Sequence, residues 1–144
     1  MSKTSRYKIL VAVKDYLNLK ALAQLLEYFH GDVEIIFFHV IEFPQSTSLY
    51  PETVTQYVED TGKKFRSLVE WADSQGVGAN LRVVASRDVV ESILSEAERI
   101  DADLIVLQKT LKKIKRRIRR LIRQTNLERI VDVSRKIVVL LPSD

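Results

Sequence analysis

Apolar positions along this chain fall into five short, near-continuous runs, and between them they recur every three or four residues. The runs are Tyr7–Val13, Val33–Ile41, Leu81–Ala85, Leu104–Leu107 and Ile137–Leu141. Short runs rich in Val, Ile and Leu predict strands covered on both faces. The intervening periodicity predicts helices. Asn18 is placed to cap the first helix, with Leu19, Leu22, Leu25, Leu26 and Phe29 as its stripe and Gly31 at its end. Phe43–Pro51 reads as a polar loop. A long helix then runs from about Glu52 to Gln75, with Val54, Tyr57, Val58, Phe65, Leu68, Val69 and Ala72 on one side. Gly62 interrupts it at a cost of about 1 kcal/mol, and Gly76 and Gly78 stop it. Asp88 and Glu91 form a capping-box pattern ahead of Val89, Val90, Ile93, Leu94, Ala97 and Ile100. Thr125 and Glu128 repeat that pattern ahead of Leu127, Ile130, Val131 and Val133.

Strands that alternate with helices predict a parallel sheet with helices on both faces. The 144 residues predict one domain, 1–144, with a proper core. In such a sheet ligands sit beyond the C-terminal ends of the strands. After the fourth strand that place belongs to Gln108, Lys109 and Thr110.

Composition then narrows the chemistry. There is no cysteine, so disulfides and thiolate metal sites are excluded, and two histidines are too few for a histidine cluster. No apolar run is long enough to span a membrane. MSKTSRYKILVAV carries no small-residue cleavage site and enters a strand directly, so the expected location is cytoplasmic.

The net charge of +4 conceals an asymmetry. Lys109, Lys112, Lys113, Lys115, Arg116, Arg117, Arg119, Arg120 and Arg123 put +9 into residues 109–123 with no acid, leaving −5 on the rest of the chain. Leu111, Ile114, Ile118, Leu121 and Ile122 line one side of a helix through this segment. Five like-charge pairs four residues apart oppose that helix by roughly 1–2.5 kcal/mol in all. Docking of the apolar side or binding of an anion must offset this, so the segment is expected to be ordered when docked. Three readings stand side by side. The segment is a solvated surface helix, an anion-binding element for nucleic acid or another polyanion, or a protein–protein helix. Nucleic-acid binding would be non-specific, because no aromatic, Asn or Gln array accompanies the basic residues before Gln124 and Asn126. A membrane-surface role lacks Trp or Phe in the segment.

Four stretches in order carry a family resemblance. KILVAV at 8–13, FFHVIEFP at 37–44, RDVVESILSEAERIDADLIVLQ at 87–108 and LERIVDVSRKIVVLLP at 127–142 resemble the universal stress protein family. The resemblance covers Tyr7 to Pro142. It implies a five-stranded parallel sheet of order 3-2-1-4-5, of the adenine-nucleotide alpha-hydrolase-like type. It also implies a homodimer whose fifth strands pair antiparallel.

The departures from the family pattern bear on function. ATP-binding members place an aspartate directly after the first strand. Here Lys14 stands there and Asp15 follows. Those members also carry G-x2-G-x9-G-[ST] after the fourth strand, where bare backbone N–H groups close on phosphates. In this chain the glycine positions hold Gln108, Leu111 and Gln124, with about three extra residues in between, and only the hydroxyl of Thr125 is kept. The four glycines, Gly31, Gly62, Gly76 and Gly78, all lie elsewhere. The expectation is therefore no ATP cofactor and no metal. Lys14, Asp15, Val40, Gln108, Lys109, Thr110 and Thr125 remain as residues of a residual cleft, which holds either a small anion or an internal salt bridge. Lys112, Lys113, Lys115, Arg116, Arg117, Arg119, Arg120 and Arg123 are the anion-binding set.

Other signals are weaker. His39 on an apolar strand reads as a satisfied core histidine, His30 as a helix C-terminal residue and Trp71 as core. Asp101 and Asp103 have no histidine base near them in sequence. The expected class is a non-enzymatic stress-response or regulatory protein acting through contacts. The alternatives are a nucleotide-binding universal stress protein with an altered loop and a nucleic-acid-binding module.

Overall fold

The computed structural model describes residues 6–29, 32–43, 50–109, 129–130 and 134–143. Five strands form one parallel sheet: β1 (Arg6–Ala12), β2 (Asp32–Glu42), β3 (Gly78–Ser86), β4 (Leu104–Gln108) and β5 (Ile137–Leu141). Their order is β3-β2-β1-β4-β5, as the resemblance implied. The helices are α1 (Leu19–Leu26), α2 (Pro51–Ser74) and α3 (Val89–Arg99), and Arg129 and Ile130 are helical as well. The basic segment from residue 110 onward and the expected cap at Thr125 lie outside the described residues, as do His30 and Gly31.

The pleat explains why the strands read as unbroken apolar runs. Ile9, Val11, Ile35, Phe37, Leu104 and Val106 face α1 and α2, together with Leu22, Phe65 and Ala72. Leu10, Ile36, Phe38, Ile105 and Leu107 face α3, with Val90, Ile93, Ala97 and Ile130. Both faces are covered, so both sets of alternate residues must be apolar. In register, Ile9 lies between Ile35 and Leu104, and Val11 between Phe37 and Val106. Phe37 is fully buried, and its truncation to Ala would cost about 3–5 kcal/mol.

The helix ends follow local chemistry. Asn18 caps α1 by accepting from the Ala21 N–H at 3.1 Å, and Asp88 caps α3 by accepting from Glu91 N–H at 3.1 Å. Pro51, whose φ suits a helical start, opens α2. Gly76 closes that helix at φ +75°, a conformation that excludes most other residues. The largest difference in strand boundaries from the reading above is at the start of β3. β3 begins at Gly78, three residues before the expected Leu81, because Gly78, Ala79 and Asn80 pair with Glu34, Ile35 and Ile36 of β2. Among the described residues, no helix is long and apolar enough to cross a membrane.

Candidate functional site at the strand ends

β1 and β4 are neighbours in the order β3-β2-β1-β4-β5, so the strand order reverses between them and their C-terminal ends form the switch point of the sheet. Gln108 is the last residue of β4. Alternation along that strand sends it to the side of Leu104 and Val106, beneath the start of α1. Its side chain is buried and fully engaged. Oε1 accepts from the Asn18 backbone N–H at 2.8 Å. Nε2 donates to the carbonyls of Lys109 at 2.9 Å, Pro142 at 3.0 Å and, more weakly, Leu141 at 3.3 Å.

Asn18 extends the same network. Its Oδ1 is the cap of α1, and its Nδ2 donates to the Pro142 carbonyl at 3.0 Å. Tyr16 Oη donates to the Ser143 carbonyl at 3.1 Å, and Lys109 N–H donates to Leu141 O at 3.0 Å. The β1–α1 loop, the end of β4 and the chain after β5 are thus tied at one point. Buried amides of this kind are stable only when satisfied on both ends, and Gln108 and Asn18 satisfy each other's surroundings.

On the other flank of β1, His39 Nδ1 lies 2.6 Å from the Val13 carbonyl, while Val13 N–H donates to Phe38 O at 2.9 Å. A carbonyl only accepts, so Nδ1 carries the proton. The ring packs against Phe65 at 4.9 Å between centroids. His39 is therefore a partly buried structural histidine, as its sequence setting suggested.

The remaining cleft residues distribute as follows. Lys14, Asp15 and Lys109 are exposed, and no ion pair joins them among the described residues. Val40 pairs with Val84 and packs on the α3 side of the sheet. Thr110, Thr125 and the basic set Lys112–Arg123 lie outside the described residues. The contact that binds the β1 loop to β4 is made by Gln108, through an uncharged amide.

One charged cluster escaped the sequence reading. Glu96 is buried on α3 between Arg82 of β3 and Arg99 of its own helix. A signal existed. Glu96 lies three residues after Ile93 and four before Ile100, so it falls on the apolar side of α3, with Arg99 three residues on. Arg99 holds the Glu96 carboxyl below the usual carboxylate range by hydrogen bonding, and the charges of Arg82 and Arg99 act in the same direction against burial.

The comparisons with known proteins agree with this architecture. Among curated proteins, none matches the chain. Among solved structures, UspA from Lactobacillus plantarum superposes with a TM-score of 0.68 at 16% identity, covering 95% of this chain and 99% of that one. The universal stress protein from Archaeoglobus fulgidus in complex with dAMP gives 0.57 at 15% identity, over 94% and 97% of the two chains. A universal stress protein family protein from Arabidopsis thaliana with AMP bound gives 0.59 at 20% identity, over 96% and 92%. At these identities the likeness establishes the fold. Residues 6–142 match the Universal stress protein family, and with the sheet order this places the chain in that family.

Proposed function

We propose that this chain is a universal stress protein of a kind that does not use ATP, a non-enzymatic regulator acting through protein or polyanion contacts in the cytoplasm. The observation that carries this reading is Gln108. Where ATP-binding members of the resembling pattern have a bare glycine, this chain has a buried amide whose oxygen and nitrogen are already engaged by Asn18, Lys109, Leu141 and Pro142. A phosphate approaching the end of β4 would have to displace those bonds and bury the orphaned groups, at about 1–3 kcal/mol for each group left unpaired.

The proposal includes a homodimer through β5. This edge strand exposes Ile137 and Leu140 at 69% and 48%, and an unpaired apolar edge favours strand addition by a second copy. Calorimetric titration of the full chain with ATP, with and without Mg²⁺, is the direct test. No heat of binding at micromolar nucleotide is expected, and micromolar affinity would reject the reading.

A nucleotide-binding function is the second reading, favoured by the dAMP and AMP held by the two structural neighbours above. The same titration decides between them. The basic run at 109–123 supports polyanion contact as the mode of action. Salt-sensitive retention on DNA or RNA, lost when Arg116, Arg117, Arg119 and Arg120 become Gln, is the expected result for that mode. Retention unchanged by those substitutions would remove it.

A further inference from the structure

A groove of about 440 Å³ lies at the opposite end of the sheet from Gln108, between α3 and the edge strand β3. Ile36 and Ile100 line it with apolar surface, and Lys8, Asn80, Arg82 and Arg99 line it with donors. Glu34 and Glu96 are its acids, so the lining carries one excess positive charge.

The arrangement around Glu96 is asymmetric. Arg99 alone meets both carboxylate oxygens, Nε to Oε1 and Nη2 to Oε2, each at 2.8 Å. That fork satisfies the buried acid. Arg82 then arrives from the other wall with its Nε 3.1 Å from Oε2. The carboxylate therefore holds two guanidinium groups, one from each wall, where one would neutralise it. Their side chains remain 50% and 58% exposed. The hydrogen bonds to Glu96 use Arg99 Nε and Nη2, and the closest approach of Arg82 is through its Nε. Two like charges have been brought together and fixed before any ligand arrives, which is the main cost of building an oxyanion site.

We propose that this groove binds a small phosphate monoester or inorganic phosphate, bridged between Arg82 and Arg99, with Lys8 and Asn80 as additional donors. Glu96 balances one guanidinium and Glu34 is paired with Arg6, so the second guanidinium and the Lys8 ammonium supply the two positive charges that a phosphate dianion meets. The site is independent of the strand-end crevice and of the reading proposed for it.

The test uses the full chain and inorganic phosphate at constant ionic strength, with the arginine side-chain N–H resonances as readout. The Nε–H signals of Arg82 and Arg99 are expected to shift and saturate with a dissociation constant of about 1 mM or tighter. Arg82→Gln keeps the Arg99–Glu96 fork and so the fold. It is expected to weaken phosphate binding about tenfold or more, the loss of one charge-assisted contact. Lys63→Gln, exposed on α2 at the opposite face of the sheet, is expected to leave the affinity unchanged. Methyl phosphate should bind as phosphate does, and succinate more weakly. Shifts that stay linear to about 20 mM phosphate, the regime of binding too weak to count as a site, would overturn the proposal. Equal affinity of the Arg82→Gln protein, or succinate binding as tightly as phosphate, would do the same.

Discussion

The Gln108 side-chain oxygen accepts the backbone N–H of Asn18 at 2.8 Å, across ninety residues of sequence. That bond joins the end of β4 to the first residue of the α1 cap. The amide nitrogen of the same side chain reaches the chain after β5, so one residue fastens three elements. Gln108→Ala leaves the buried Asn18 N–H and the Pro142 carbonyl with a partner fewer each. A loss of about 1–3 kcal/mol is expected from urea unfolding. Gln108→Glu separates donor from acceptor roles. A carboxylate keeps the bond from Asn18 but meets the carbonyls of Lys109 and Pro142 without a proton to donate. The Glu protein is expected to be less stable than the Ala protein at pH 7 and to recover as the pH falls towards 5, where the protonated acid donates. Identical pH dependence for the two variants would show that the nitrogen contacts contribute little.

The two helix glycines of the α2 region are expected to respond in opposite directions. Gly62 lies within α2, and a Cβ there would meet no atom within 4 Å. Gly62→Ala is expected to stabilise the protein by roughly 0.4–1 kcal/mol through helix propensity and a smaller unfolded ensemble. Gly76 sits at φ +75°, equally open to a Cβ. Gly76→Ala is expected to cost about 1–2 kcal/mol, because the cost there is in the backbone and not in space. Thermal melts of the two variants check the sign of each.

The fold was legible in the sequence wherever one physical constraint acted alone. Strands covered on both faces need apolar residues at every position, so Ile9–Val11 and Leu104–Leu107 announced themselves. The start of β3 is the informative difference. β3 is an edge strand, and on the α3 side its residues Asn80 and Arg82 are exposed, while Ala79 and Leu81 pack with the α2 cluster. The strand therefore alternates from Gly78 to Arg82, and Gly78 reads as a helix stop when only continuous apolar runs are sought. At the strand ends the position of Gln108 was visible but its partners were not, since Asn18 and Pro142 lie far away in sequence. Glu96 was legible in part, on the apolar side of α3 beside Arg99, but its second arginine, Arg82, comes from another element.

Glu96 gives the fold an acid-sensitive point. Its carboxyl titrates below its unfolded value because Arg99 and Arg82 favour the charged form. A group with a depressed folded pKa adds stability that is full above the unfolded pKa, about 4.5 here, and drains away as the pH falls through the folded value. Glu96→Gln removes that contribution. The variant is expected to be less stable than wild type by about 1–3 kcal/mol at pH 7. The gap should narrow as the pH drops below the unfolded pKa. Urea midpoints between neutral and strongly acid pH would show this directly. A gap that stayed constant across that range would mean the carboxylate charge is not what the arginines stabilise.

β5 is where assembly is most readily tested. Among the described residues the strand pairs with β4 on one side only, and Ile137 and Leu140 are its exposed large apolar residues. Leu141, by contrast, is buried in the core and must not be touched. Replacing Ile137 with Lys places a charge at the outer surface of an edge strand, the device by which natural edges resist pairing. It alters neither the β4 ladder nor the Gln108 contacts to Leu141 and Pro142, which use backbone atoms. The folded stability of a monomer should thus change little, while strand addition by a second copy becomes unfavourable. Sedimentation equilibrium is expected to show a dimer for the native chain and a monomer for the Ile137→Lys, Leu140→Lys double variant. The far-ultraviolet spectrum is expected to be unchanged. A double variant that remained dimeric would move the interface away from β5, and a native chain that sedimented as a monomer would end the proposal of a β5 dimer.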